Sequence, residues 1–198
     1  MIQAENITKK FGRLHVLKNI SFQFEQGACI ALLGHNGCGK TTLIKMMLGM
    51  VVPDNGHLRF DGTTISGNNW QYRNRIGYMP QIGRYPENMT IAQIIKMMKD
   101  IRHVEDKAPD ESLIQDFGLN EMMSKKMRTL SGGTTQKVSA SLAFMFHADV
   151  LILDEPTAGL DPISSEILRQ QIIREKEKGK LILITSHILS ELDDLVTE

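Results

Sequence analysis

The sequence has only two cysteines, Cys29 and Cys38, in 198 residues. Two thiols cannot build the disulfide framework of a small secreted domain, so a reducing cytoplasm is the expected compartment. Long apolar runs are also missing. The longest, Ala28 to Leu33, has six residues, far short of the roughly 20 that cross a bilayer. The first ten residues, MIQAENITKK, lack the apolar stretch of a secretory signal. Net charge is absent as well, since 23 Lys and Arg balance 23 Asp and Glu. That excludes a strongly basic nucleic-acid binder, and no nucleic-acid partner is expected. The sequence contains no internal repeat and no low-complexity segment.

What is present is an ordinary globular composition, 41% hydrophobic and 23% charged, which excludes a disordered chain. A chain of this length buries about 70% of its unfolded surface, enough for one sizeable core or one core with a small lobe. The zero net charge conceals an asymmetry. Residues 1–99 carry 12 Lys and Arg against 5 Asp and Glu, and residues 100–198 carry 11 against 18. A basic half suited to meeting an anion is one reading, and chance composition is the other.

The opening segments, Ile2 to Ile7 and Leu14 to Phe24, carry β-branched and aromatic residues with partial alternation and read as strands. Ala28 to Leu33 and Val150 to Leu153 are continuous apolar runs, as in strands buried on both faces of a parallel sheet. Leu181 to Thr185 is a third. His57 to Phe60 and Arg75 to Met79 read as shorter strands. A helix is expected at about Lys40 to Leu48. Residues 91–145 change character: Ile91 to Lys99, Glu111 to Phe117 and Gly132 to Phe146 read as helices, with Gly118 as a C-cap. Pro162 at the first helical position begins a helix running to Lys178, and Ile188 to Val196 is a last, short one. The whole is a parallel α/β core interrupted by a helical insertion.

Gly34-His35-Asn36-Gly37-Cys38-Gly39-Lys40-Thr41 matches G-x-x-x-x-G-K-[ST] between a buried strand and a helix, the context that marks a phosphate-binding loop. Its glycines let successive N–H groups turn inward to hold phosphate oxygens, and the helix N-terminus adds partial positive charge. Lys40 reaches the β- and γ-phosphates, and the Thr41 hydroxyl can hold Mg²⁺. The expected nucleotide contacts are Gly34, Asn36, Gly37, Cys38, Gly39, Lys40, Thr41 and Thr42. Val150 to Leu153 ends in Asp154 and Glu155. Asp154 is placed to bind Mg²⁺, usually through water, and Glu155 to polarise the attacking water as general base.

Leu130-Ser131-Gly132-Gly133 separates this chain from other phosphate-loop enzymes. Over essentially its whole length the chain resembles the ATP-binding cassette (ABC) family of ATPases. The order of elements agrees: phosphate loop, Tyr78-Met79-Pro80-Gln81, LSGG, the Asp-Glu strand, Ala158-Gly159-Leu160-Asp161, then Thr185-Ser186-His187. The resemblance implies an α/β fold with a P-loop NTPase core on a parallel sheet, an N-terminal antiparallel β portion and an inserted helical subdomain. It implies one domain over 1–198, with its core in 1–85 and 147–198 and the helical insertion at about 86–146.

By the same resemblance, Gln81 touches Mg²⁺ and links the core to the helical lobe. Ser131, Gly132 and Gly133 open a helix aimed at the γ-phosphate of the opposite subunit. Asp161 lies at the dimer seam, His187 bonds the γ-phosphate and orients the water, and Phe11 stacks on adenine. Taken alone, Phe11 would be read as a core residue. Expected cofactors are ATP and Mg²⁺. Expected partners are a second copy or a second ABC subunit, and a separate transmembrane permease. The permease would hold the chain at the cytoplasmic face of the inner membrane.

The sequence departs from the family pattern in three places. Thr134 stands where the signature usually continues with Gln, although the Ser and Gly donors remain. Phe11 replaces the commoner Tyr but keeps the ring face needed for stacking. The chain ends soon after His187, where family members add further strands, so a C-terminal truncation is expected. Eight of the 12 methionines fall within residues 79–145. Flexible core filling accounts for them; an adaptable apolar surface for a permease helix is the functional alternative. Copper binding is weaker because the spacing forms no compact cluster. The segments GHNGCGKT, SGGTTQK and SHILSELDDL are similar to ATPase subunits of copper-enzyme maturation transporters of the nitrous-oxide reductase type. His15, His57, His103 and His147 read as structural or surface residues.

The resulting expectation is the ATP-hydrolysing subunit of a membrane transporter. A soluble ABC-type ATPase not coupled to transport is the alternative. The DNA-repair branch would need long coiled-coil insertions, and no sustained heptads occur. A translation factor with two cassettes would not fit in 198 residues. A small-molecule kinase would need neither LSGG nor a second subunit.

Overall fold

Val150-Leu151-Ile152-Leu153 offers water no polar side chain on either face, and the fold uses both faces. The computed structural model describes residues 1–66, 69–102 and 108–186. Strand β7 (Val150–Asp154) is fully buried and lies between β6 (Ile76–Met79) and β8 (Leu181–Ser186). With β3 (Cys29–Leu33) on the far side of β8, these form a four-stranded parallel sheet, in the order β3-β8-β7-β6. Alternate residues feed opposite cores. Val150, Ile152, Leu181 and Leu183 join one cluster, while Leu151, Leu153, Ile182 and Ile184 join the other. A period-2 strand with apolar residues at every position requires such two-sided burial.

The first cluster lies between this sheet and an antiparallel one built from β1 (Ile2–Phe11), β2 (Leu14–Phe24), β4 (Asn55–Phe60) and β5 (Thr63–Thr64), in the order β2-β1-β4-β5. Here alternation is imperfect because β1 carries register shifts between Ala4 and Ile7 and again near Lys9. Helix α1 (Lys40–Met47) fills the gap with Leu43, Ile44, Met46 and Met47. Each buried side chain of that size contributes about 2 kcal/mol, which anchors the helix and hence the loop before it. Arg75 ties the two sheets at one end, pairing with Asp61 at 2.7 Å and Asp149 at 2.5 Å while its guanidinium lies 4.9 Å from the Phe60 ring centre.

The second cluster packs the other sheet face against helices α2 (Ile91–Arg102), α3 (Ser112–Asp116) and α4 (Gly132–Phe144), together with α5 (Pro162–Glu177). Of the eight methionines in this stretch, Met79, Met127 and Met145 are buried core, as their filling role requires. Met89 and Met97 line an open groove of about 510 Å³ with Ile101, which is 59% exposed. Element positions expected from the sequence are present within a few residues. The expected Ile188 to Val196 helix lies outside the described residues. Among the described residues, no helix is long and apolar enough to cross a membrane.

Candidate functional site

The parallel sheet sets the site because its strands all end on one edge. β3 runs into the loop 34–39 and then into α1. Gly39 is where that turn is made. Its φ of 107° is open to glycine alone among common residues, and a Cβ there would stand 2.9 Å from Leu17 Cδ2 and 3.1 Å from the Val16 carbonyl oxygen. The loop is therefore pressed against β2 and cannot carry a side chain at that point. Cys38 N–H donates to the His35 carbonyl at 3.3 Å, and Leu43 N–H to the Gly39 carbonyl at 2.9 Å. The Lys40 ammonium folds back over its own loop, donating to the Gly34 carbonyl at 2.5 Å and to that of His35 at 3.3 Å.

β7 delivers Asp154 and Glu155 to the same edge, and both are buried. The parallel register pairs Asp154 with Thr185 of β8. The Thr185 hydroxyl donates to Asp154 Oδ1 at 2.5 Å and accepts from the Glu155 N–H at 3.0 Å. Thr185 thus fixes both acids, a role that sequence spacing alone did not reveal. Glu155 has φ 51°, an uncommon conformation for a residue with a Cβ, and it breaks the strand so that the carboxylate leaves the sheet. Gln81, beyond the end of β6, donates from Nε2 to Glu155 Oε2 at 2.8 Å. Tyr78 on β6 has its phenol pushed up to about 12 by burial, with the nearby Asp154 charge adding to the shift.

These groups surround one cavity of about 270 Å³, lined by Asn36, Gly37, Gly39, Lys40, Thr41, Thr42, Gln81, Asp154 and Glu155, with Leu14 and Val16 on the β2 side. Gly34 and Cys38 do not line it. They face each other, and a Cβ on Gly34 would stand 2.6 Å from Cys38 Sγ. Phe11 is 50% exposed and pairs in register with Leu14 across the β1–β2 hairpin. The core reading of Phe11 is therefore wrong. Its ring is half in solvent, with Lys9 Nζ 5.5 Å from its centre. Leu14 and Val16 were not singled out in the sequence; the only signal for them was their place on a strand next to the loop.

Ser131, Gly132, Gly133 and Asp161 are not among the cavity's lining residues. Ser131 is the N-cap of α4, and its Oγ accepts from the Thr134 N–H at 3.2 Å. The Thr134 hydroxyl, where the family has Gln, lies 2.9 Å from the same oxygen, so this departure engages the capping serine directly. Gly133 lies so close to the segment after Glu155 that a Cβ would stand 2.7 Å from the Gly159 carbonyl oxygen. Asp161 is exposed and caps α5, accepting from the Ser164 N–H at 2.9 Å and the Ser164 hydroxyl at 2.7 Å, and it pairs with Lys137 of α4 at 2.9 Å. Those bonds, the Ser164 N–H first, hold its carboxyl far below the usual range. The structure thus makes two groups: one cavity with the phosphate loop and acids, and one separate helix end with Ser131. His187 and His103 lie outside the described residues. His57 lies 3.0 Å from Glu5, and His147 bonds the Ala108 carbonyl at 2.8 Å, so neither belongs to the site.

The donor set around the cavity is a hydroxyl, an amide and carboxylates, all hard oxygen ligands of the kind Mg²⁺ takes with waters and substrate phosphates. Among the described residues no group of three or more His, Cys, Asp or Glu could hold a metal ion. The residues present fit Mg²⁺ carried in with a nucleotide.

Residues 17–158 match the family model described as ABC transporter. The linearmycin resistance ATP-binding protein LnrL of Bacillus subtilis (strain 168) is 34% identical over 199 aligned residues, covering 98% of this chain and 64% of the relative. The chain spans less than two thirds of the length of such curated relatives. A solved ATP-binding subunit of an ABC transporter superposes with a TM-score of 0.90 at 26% identity, over 98% of this chain and 82% of that one. A dimeric, post-hydrolysis ATP-binding cassette bound to ADP and Pi shares the fold, with a TM-score of 0.84 at 21% identity, over 96% of this chain and 90% of that one.

Proposed function

This chain belongs to the ABC transporter family, and from that premise we propose that it binds and hydrolyses ATP as the motor subunit of a transporter. The observation that carries the reading is the single cavity in which Lys40 and Thr41 face Asp154, Glu155 and Gln81. A kinase-like site would explain the loop but not the exposed Ser131 helix end outside the cavity. The reading makes that end the donor for a second copy's γ-phosphate, with Asp161 beside it at the seam. Phe11, on its exposed hairpin, supplies the adenine platform.

Bound with the nucleotide, Mg²⁺ would offset phosphate charge and would be held by Thr41, Gln81 and Asp154. The loop N–H groups bind the phosphates, and the Lys40 ammonium exchanges its two loop carbonyls for phosphate oxygens. Glu155 accepts the proton of the attacking water, while Gln81 holds its Oε2 in place. Thr185 keeps both acids oriented. His187 is assigned the γ-phosphate contact on the resemblance alone. Residues 1–85 and 147–198 form the proposed core and 86–146 the proposed helical insertion. A separate permease would seat on the groove lined by Met89 and Met97 and so place the chain at the cytoplasmic membrane face. The finer assignment, to transporters of copper-enzyme maturation, rests on the three segments that resemble that type. A neighbouring gene encoding a membrane permease of such a cluster tests it.

Subunit mixing tests the shared site. Lys40→Ala removes a phosphate-binding charge, and Ser131→Arg blocks the opposite donor. Each variant alone should be nearly inactive. Mixed, they form dimers in which one site joins an intact Lys40 to an intact Ser131, so ATPase activity should reappear. No rescue, with mixed dimers demonstrated by crosslinking, would overturn the shared site.

A further inference from the structure

Asp54 stands in the turn that follows α1, and it holds β1 at three points. Its Oδ1 accepts from the Lys9 ammonium at 2.8 Å, its Oδ2 accepts from the Lys10 N–H at 2.7 Å, and its own N–H donates to the Thr8 carbonyl at 2.8 Å. The Lys9 ammonium also donates to the Val52 carbonyl at 2.8 Å. Two acceptors thus fix a lysine side chain that is only 16% exposed. The Lys9 bond, and after it the Lys10 N–H, hold the Asp54 carboxyl below its usual range, so this clamp is charged at neutral pH.

Lys9 and Phe11 are two residues apart on β1 and so share a face of the sheet. The Lys9 Nζ lies over the Phe11 ring, 5.5 Å from its centre, within the range of a cation–π contact. The opposite strand gives the ring less support, because Leu14, its partner in register, is itself 65% exposed. The clamp also has a direction. α1 carries the phosphate loop at its N-terminal end, and residues 50–54 leave its C-terminal end, with the Met50 and Val51 N–H groups bonded back to the Lys45 carbonyl at 2.8 and 3.2 Å. Asp54 therefore ties the hairpin that bears Phe11 to the helix that bears Lys40 and Thr41. Neither Lys9 nor Asp54 lines the cavity itself.

We propose that Lys9 and Asp54 are positioning residues that fix the Phe11 ring as the base platform and set its distance from the phosphate loop. The proposal rests on the reading of Phe11 as the adenine platform. The pair acts on the base end of the nucleotide alone, so a ligand with phosphates but no base gains nothing from the clamp.

Three variants test this. Lys9→Met keeps the side-chain length but removes the ammonium, Asp54→Ala leaves Lys9 without its carboxylate, and Phe11→Ala removes the ring. Each is compared with the parent for steady-state ATPase and for competitive inhibition by inorganic tripolyphosphate, with Mg²⁺ present. Lys9→Met and Asp54→Ala should each raise KM for ATP about 5-fold, the scale of one cation–π contact. Both kcat and the inhibition constant of tripolyphosphate should stay at the parent's values. Lys9→Met added to Phe11→Ala should raise KM no further than Phe11→Ala alone, because no ring is left to place. A parent-like KM in Lys9→Met would overturn the proposal, and so would additive losses in the double variant. Weakened tripolyphosphate inhibition would overturn it too, by making Lys9 a phosphate-facing charge or a general support of the fold. A KM that rises in Lys9→Met but not in Asp54→Ala would remove the clamp. Phe11→Ala with the parent's KM would instead strike the platform reading. The Asp54 side chain is 38% exposed and its loss leaves the Lys9 ammonium bonded to Val52, so this arm remains decisive even if Lys9→Met does not fold.

Discussion

Gln81 donates from Nε2 to Oε2 of Glu155 across 2.8 Å, joining the segment after β6 to the end of the neighbouring strand β7. An amide suits this place because it carries a donor and an acceptor on one rigid plane. The nitrogen can hold the carboxylate while the oxygen serves as a neutral metal ligand. A carboxylate in place of Gln81 would face Glu155 with like charge, and a lysine would neutralise it.

Glu155→Gln should keep ATP binding, since the loop and Lys40 are untouched, but remove the proton acceptor. Hydrolysis should fall by roughly 10²-fold or more. An ATP-bound dimer should accumulate on size exclusion in ATP and Mg²⁺. Turnover near that of the parent would remove Glu155 from the role of base.

Asp161 links pH to stability. Its carboxyl is held low in the folded chain by the Ser164 N–H, the Ser164 hydroxyl and Lys137. A depressed folded value means that the charged form is favoured by folding. The stabilisation is therefore complete above the ordinary carboxylate value of 3.8 and is lost as pH falls through the lower folded value. Asp161→Asn keeps a capping oxygen but loses the charge facing Lys137. Its Tm should lie below the parent's at pH 7, and the gap should narrow as pH drops below about 4. A gap that stays constant down to pH 2 would contradict this account.

The two cysteines should differ sharply in reactivity. Cys29 lies fully buried in β3, and burial pushes its thiol up to about 11, against a smaller opposing pull from Lys176. Cys38 is partly exposed in the phosphate loop, with Lys40 Nζ 3.9 Å from its sulfur. An alkylating reagent at neutral pH should modify Cys38 first, and ATP should protect it. Equal labelling of both thiols, with or without ATP, would show that the loop is not arranged as described.

Much of this fold was legible because the signals are local. Val150 to Leu153 and Leu181 to Thr185 have no polar position to expose, so burial on both faces follows from composition alone. The phosphate loop is legible for the same reason: Gly34 to Thr41 are consecutive, and their chemistry depends on backbone angles within eight residues. Pro162 announced a helix start by the same short-range logic, whereas the Asp161 cap came only with the structure.

What the residues could not disclose depends on register between distant segments. Asp154 meets Thr185 only because β7 and β8 pair in parallel at one particular offset, and a shift of one residue would aim the hydroxyl at the opposite face. Phe11 looks like core material by type, yet its place at the tip of an exposed hairpin leaves half of it in water. The Tyr85–Ser139 bond spans 54 residues and needs α4 packed against the Gln81 loop before either hydroxyl has a partner. Local residue patterns were enough to mark the elements and the family. Tertiary structure alone decided which acids share an anchor and which residues stand outside the cavity, because packing, not spacing, sets distances between residues far apart in the chain.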